Sequence, residues 1–168
     1  MDNAITLHEG VDDLNHGLVL LECNSVMLDA QSGNREQNLS ARSLVSIVDD
    51  DQSFGDSMRR LLRSLDYAVA VFPSGAQFLA SAQLADTACL IADIHMPDMT
   101  GVELYENLVE RGQAIPTILV TAYPDDLVKE RMVSRGAECY LQKPLEEADL
   151  INCLRSAVAR GRARGSAP

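Results

Sequence analysis

The amino-acid sequence predicts an α/β fold: (βα)5, a doubly wound, five-stranded parallel sheet with helices on both faces. Three observations carry this. Short apolar runs recur five times from Leu44 onward. Each is followed by a segment with helical spacing or a helix-start signal. The runs at 45–48, 89–92 and 117–120 are apolar almost throughout, as strands buried on both faces of a parallel sheet are. Strict strand–helix alternation demands right-handed crossovers and therefore parallel strands.

The elements follow in order. Leu44–Val48 is β-branched at Val45, Ile47 and Val48 and reads as the first strand. Phe54, Met58, Leu61, Leu62 and Leu65 then fall on one helical face. Ala68–Phe72 is the second strand. Ser74-Gly75-Ala76-Gln77 reads as a capping box opening a helix to about Ala82. Cys89–Asp93 is the third strand, and Thr100-Gly101-Val102-Glu103 a second capping box with a helix to about Arg111. Thr117–Thr121 is the fourth strand, behind Pro116. Asp125–Arg135 is a helix with Gly136 as its stop. Cys139–Gln142 is the fifth strand, and Glu146–Arg160 the last helix, with Leu150, Ile151, Leu154 and Val158 inward.

Composition bounds the rest. The chain has 168 residues, 46% hydrophobic and 23% charged, which is globular composition and one domain's worth of chain. Its net charge of −11 disfavours binding of nucleic acid through the bulk surface. No apolar run approaches the roughly 20 residues of a membrane span. The first basic residue is Arg35, so the N-terminus does not read as a secretory signal. Residues 1–43 hold seven acids and two bases, Arg35 and Arg42, and sustain no period. They read as a loosely ordered extension, with a short strand at Val19–Glu22 and a polar linker at Gln31–Ser40. A partner-binding arm, or a stretch upstream of a later start at Met27, stays open. The four cysteines, Cys23, Cys89, Cys139 and Cys153, have no C-x-x-C spacing. They are expected as reduced, buried thiols, which fits a cytoplasmic location.

In a doubly wound sheet the ligand site lies beyond the carboxyl ends of the strands. Asp49, Asp50 and Asp51 follow the first strand, Asp93 ends the third, Thr121 ends the fourth, and Lys143-Pro144 follows the fifth. Three or more carboxylates would share one crevice. Two like charges about 4 Å apart cost roughly 4 kcal/mol at an effective dielectric of 20, so the crevice needs a cation. All-oxygen donors favour a hard ion, Mg²⁺ before Ca²⁺. Taken singly, the acids read as a solvated turn capping a helix and Lys143-Pro144 as a surface turn. Their joint occurrence at successive strand ends is what carries chemistry. The Lys143–Pro144 peptide is expected to be cis, so that the chain turns sharply and the ammonium points along the rim.

Ile47-Val48-Asp49-Asp50-Asp51, the run from Ile91 through Asp93 and Met96-Pro97-Asp98-Met99-Thr100-Gly101, Ile118-Leu119-Val120-Thr121-Ala122 and Tyr140-Leu141-Gln142-Lys143-Pro144 together resemble the receiver domain of bacterial response regulators. The resemblance, to the CheY-like family and in wording to its FixJ-type members, covers Leu44 to about Gly161. It implies a CheY/flavodoxin-like strand order of 2-1-3-4-5. It implies a two-component phosphorelay in which a sensor histidine kinase phosphorylates Asp93, without conventional turnover. The matching positions make Asp49, Asp50 and Asp93 Mg²⁺ ligands, together with the backbone carbonyl of His95, whose imidazole is not counted as a ligand. Thr121 and Lys143 match the groups that bond the phosphoryl oxygens, and Tyr140 an aromatic switch that moves with Thr121.

Some features depart from the family. Gly55 weakens the first helix slightly. Tyr123, two past Thr121, lies near enough to the rim to slow attack by water. Only eight residues follow Arg160, and Arg160, Arg162 and Arg164 read as a solvated basic tail over 162–168. This suggests either a stand-alone receiver or a cut chain. The stand-alone reading has no DNA-binding domain and no membrane contact. Its output would run through protein contacts, a phosphorylation-dependent homodimer included, on the face of the fourth helix, fifth strand and fifth helix. An alternative is a haloacid-dehalogenase-like phosphatase using Asp49 as nucleophile. A flavodoxin-like FMN module is excluded by the acidic loop after the first strand.

Overall fold

The computed structural model describes residues 42–113 and 115–165. The expectations for Val19–Glu22, Cys23, Met27 and the linker lie outside them. The elements are β1 (Leu44–Val48), α1 (Gln52–Ser64), β2 (Ala68–Phe72), α2 (Gly75–Leu79), a 3₁₀ turn (Ala82–Leu84), β3 (Thr87–Asp93), α3 (Gly101–Glu110), β4 (Thr117–Thr121), α4 (Asp126–Ser134), β5 (Cys139–Gln142) and α5 (Glu147–Gly165). All pairings are parallel, in the order β2-β1-β3-β4-β5. This is the predicted CheY-like, flavodoxin-type fold.

Strand alternation sorts the core into two layers. Val45, Ile47, Cys89, Ile91, Ile118 and Val120 face α1 and α5 and pack with Met58, Leu62, Leu150 and Leu154. Val48, Leu90, Ala92 and Leu119 face the other side, against Phe78, Leu104, Leu108 and Met132 from α2, α3 and α4. Each large side chain fully buried here contributes about 1.5–3 kcal/mol. Ser46 and Thr87 are polar residues of buried strands, and their hydroxyls bond each other at 2.8 Å.

Helix termini follow the predicted signals. Asp51 caps α1 by accepting from the Ser53 and Phe54 amides. Thr100 and Glu103 form the reciprocal capping box of α3. Gly136 ends α4 at φ +94°, a conformation that side-chain-bearing residues rarely adopt. Ser74 accepts from the Gln77 amide as expected. Its helix is short, however: α2 stops at Leu79 and the chain reaches Leu84 through the 3₁₀ turn.

Three expectations are corrected. β3 starts at Thr87, two residues earlier than the apolar run, because Thr87 satisfies its hydroxyl on Ser46 and on the Gln83 carbonyl. The last helix takes in Arg162 and does not stop at Arg160. Both arginines are exposed, but each has a partner: Arg160 pairs with Glu138, and Arg162 donates to Ser43 Oγ at 2.7 Å. Among the described cysteines, only Cys89 is a buried free thiol, and burial pushes its pKa well up. Cys139 and Cys153 are joined in a disulfide, their Cα atoms 6.1 Å apart, because β5 and α5 bring them face to face.

Candidate functional site

The carboxyl ends of β1, β3, β4 and β5 form one crevice. Asp49 directly follows β1 and is only 2% exposed. Its amide donates to the Phe72 carbonyl, which fixes its direction. Both its oxygens are engaged: Oδ1 accepts from the Asp51 amide at 2.8 Å and Oδ2 from Lys143 Nζ at 2.7 Å. Asp50, next in the chain, is exposed. Of the three acids predicted as a capping turn, only Asp51 is the cap.

Asp93 is the last residue of β3 and retains 9% exposure. Its Oδ1 accepts a long bond of 3.4 Å from the His95 amide. A Cβ on Gly101 would lie 2.3 Å from the Asp93 carbonyl oxygen, so only glycine lets the start of α3 close over this strand end. Lys143 follows β5, and its amide donates to the Thr121 carbonyl at 2.7 Å. The Lys143–Pro144 bond is cis, as expected. The ammonium spans the crevice, 2.7 Å from Asp49 Oδ2 and 3.3 Å from Asp93 Oδ2. It also sits 3.9 Å from the centroid of the Phe54 ring. Phe54 was legible only as part of the apolar face of α1. Its place in the first turn, at the rim, gives it this second contact.

The electrostatics follow from burial and crowding. Burial raises the pKa of Asp49, and the bonds from Lys143 and the Asp51 amide do not fully offset it. Burial pulls Lys143 down, but Asp49 and Asp93 outweigh it, so its pKa is raised. Asp49 thus holds its proton more tightly because it is buried, and Lys143 because two carboxylates face it. Asp49, Asp50 and Asp93 each offer a carboxylate oxygen, all within 4.8 Å of one another. That spacing and an all-oxygen donor set fit a hard cation.

Thr121 is fully buried at the end of β4. Its Oγ1 lies 3.0 Å from His95 Nδ1, 3.0 Å from the Tyr123 amide and 3.1 Å from the Tyr123 carbonyl. The His95 ring meets Tyr123 edge to face, with centroids 5.6 Å apart. From sequence only the backbone carbonyl of His95 has a role, and its ring gains these contacts from the fold. Tyr140, in register with Leu119, is half-buried, and its hydroxyl accepts from the amide of Asp125, the cap of α4.

The sequence model of the family described as response regulator receiver domain matches residues 45–155. The chain is 32% identical to the response regulator protein TmoT of Ectopseudomonas mendocina, over 76% of this chain and 58% of that protein. It is 35% identical to the transcriptional regulatory protein TdiR of Thauera aromatica, over 71% and 53%. It is 31% identical to the transcriptional regulatory protein FixJ of Azorhizobium caulinodans, over 72% and 57%. Among solved structures, the response regulator StyR superposes with a TM-score of 0.69 at 34% identity, covering 74% of this chain and 63% of that one. FixJ-N gives 0.62 at 32%, covering 69% and 93%.

The chain thus spans little more than half the length of these curated relatives. This corrects the expectation for partners. TdiR and FixJ are named transcriptional regulatory proteins, and the match accounts only for their receiver part. A receiver without a DNA-binding domain, acting solely through protein contacts of α4, β5 and α5, therefore does not stand. Nothing in the comparisons favours the phosphatase alternative. Among the described residues no helix is long and apolar enough to cross a membrane. The chain belongs to the response regulator receiver domain family, whose members are signalling proteins of two-component phosphorelays and not conventional enzymes.

Proposed function

We propose that Asp93 is the phosphoacceptor of this receiver. The supporting observation is the contrast between the two carboxylates that touch Lys143. Asp49 is almost fully buried with both oxygens bonded, whereas Asp93 is more open and holds only a long backbone bond and the outer contact to Lys143. An Asp93 oxygen attacks phosphorus of a phosphohistidine on a sensor histidine kinase. The phosphorus–nitrogen bond breaks, its electron pair stays with the imidazole, and an acyl phosphate forms on Asp93. Water later cleaves that bond, so the domain catalyses its own phosphorylation and dephosphorylation.

Asp49, Asp50 and Asp93, with the His95 backbone carbonyl, would hold Mg²⁺, which when bound supplies positive charge against the phosphoryl oxygens. Lys143, which already contacts Asp49 and Asp93, would add its own positive charge against the phosphoryl oxygens. Thr121 donates its hydroxyl to a phosphoryl oxygen, and Tyr140 follows Thr121, releasing or retaining the amide of Asp125 at the start of α4. The receiver unit runs from residue 44 to the end of α5. In this reading the domain works in the cytoplasm, where phosphoryl donors charged from nucleoside triphosphates are made, and where Cys139–Cys153 would meet a reducing thiol pool.

The test is to treat the protein with acetyl phosphate and Mg²⁺, reduce with borohydride and map the adduct by mass spectrometry. Label on Asp93 that is lost in Asp93→Asn and kept in Asp50→Ala treated at high Mg²⁺ supports the assignment. Label that persists in Asp93→Asn, or that maps to Asp49, overturns it.

A further inference from the structure

The hydroxyl of Thr121 has one proton to donate and two lone pairs with which to accept. All three are matched. The Tyr123 amide donates to it at 3.0 Å, and it can donate to the Tyr123 carbonyl at 3.1 Å. The remaining lone pair faces His95 Nδ1 at 3.0 Å. The three contacts are satisfied together only if Nδ1 carries the hydrogen and donates. The imidazole is exposed, and a free ring there would sample several rotamers. Its plane is held instead by Tyr123, which meets it at an interplanar angle of 88°. That contact gives a role to Tyr123, which is 73% exposed and otherwise an unexplained aromatic on the surface. The His95 amide also makes a long hydrogen bond, 3.4 Å, to Asp93 Oδ1. One residue thus touches the acid through its main chain and the hydroxyl through its side chain.

From this geometry we propose that His95 is a positioning residue that latches Thr121 in the unphosphorylated state. The latch rests on the reading of Asp93 as phosphoacceptor and Thr121 as the group that bonds the phosphoryl oxygen. To make that bond Thr121 must withdraw its proton from the Tyr123 carbonyl and turn toward Asp93. The Nδ1–H bond holds the oxygen where it is and opposes the turn. Losing one such bond shifts the balance toward the turned state by the worth of a single net hydrogen bond. This tightens binding of a phosphoryl mimic about two- to tenfold. Tyr123 acts through His95, by keeping the ring in the plane that reaches Thr121.

The experiment uses the full 168-residue chain. Beryllofluoride affinity with Mg²⁺ is measured for the wild type, His95→Ala, His95→Asn, His95→Gln and Thr121→Val. Asn places an amide N–H near the position of Nδ1, and Gln places one near Nε2. His95→Ala and His95→Gln are expected to bind about two- to tenfold tighter, with His95→Asn close to the wild type. In the Thr121→Val background His95→Ala should change nothing. Nitrogen NMR of the His95 ring should show hydrogen on Nδ1 in the wild type, lost in Thr121→Val and on adding beryllofluoride. The latch is overturned if Ala and Asn behave alike, if the Ala effect survives in Thr121→Val, or if the ring keeps its Nδ1–H without the Thr121 hydroxyl. A wild-type chain that never loads Asp93 would instead sink the phosphoacceptor reading itself.

Discussion

Replacing Lys143 by Met removes the ammonium and keeps most of the side-chain volume. The structure sets the scale of the loss. At an effective dielectric of 20, contacts of 2.7 Å to Asp49 and 3.3 Å to Asp93 are each worth about 5–6 kcal/mol of attraction. Oxygens of Asp49 and Asp93 lie within 4.8 Å of each other, which returns at least about 3 kcal/mol of repulsion. Desolvation of each ion then consumes several kcal/mol more. The small remainder is the worth of the pair. The variant faces a different balance, because Asp49 stays buried with its side chain 1% exposed and loses its cation. Breaking such a pair costs about 3–5 kcal/mol. Urea titrations in a chelator should therefore show Lys143→Met less stable by that amount. Adding Asp49→Asn to the same chain should recover at least half of it, since no unpaired charge remains. Millimolar Mg²⁺ should narrow the gap in Lys143→Met but not in the double variant. A loss below about 1 kcal/mol in chelator, or no relief from Asp49→Asn, would refute the reasoning and show that water screens the crevice.

Asp50 is the exposed member of the acidic trio, so Asp50→Ala should relieve repulsion and raise stability in chelator by roughly 0.5–1 kcal/mol. Thermal scans with and without Mg²⁺ should also show the metal-dependent shift reduced; a lower melting temperature in chelator would mean Asp50 is a structural group. Cys139 and Cys153 close a loop of 14 residues' separation, so reduction should destabilise the oxidised protein by about 3 kcal/mol. Denaturation with and without dithiothreitol reads this directly, with Cys153→Ser insensitive to reductant. Tyr105 donates to the Arg135 carbonyl at 2.9 Å, and burial raises its pKa, partly offset by Arg160 and Arg135. A raised acid contributes stability that is complete below its unfolded value near 10 and disappears as pH climbs through the folded one. Tyr105→Phe should cost about 1 kcal/mol at neutral pH and flatten the alkaline limb of the stability curve. An unchanged alkaline limb would count against that account.

Most of the fold was legible because each element carries its own local signal. Val45 and Ile47 alternate with Ser46 and Val48, and that period of two reappears as the two core layers. The start of α3 was readable from Thr100 and Glu103, since both halves of a capping box lie within four residues. The end of α4 was readable from Gly136, whose φ of +94° excludes a continuing helix. Boundaries failed where no local rule competes. Nothing at Arg160 signals a stop, and the helix runs on through Arg162, whose side chain meets Ser43 across 119 residues of sequence, to Gly165.

The site divides along the same line. The convergence of Asp49, Asp93, Thr121 and Lys143 was readable because the fold puts these strand ends on one rim, so topology brings residues 94 apart in sequence into contact. Which way a side chain turns once it arrives is decided by neighbours that topology does not name. The capping turn was readable over Asp49–Asp51, but which of the three is the cap was not: only Asp51 turns back to meet the Ser53 and Phe54 amides. Cys139 and Cys153 carry no spacing motif, since a disulfide between a strand and the helix after it depends on where α5 lies on the sheet. His95 looked relevant only for its carbonyl, yet its ring is drawn to the buried hydroxyl of Thr121 and braced there by Tyr123. The residues missed by sequence reasoning are thus those whose partners are chosen by side-chain geometry. Their contacts hold the Thr121 hydroxyl against His95 and tie β5 to α5.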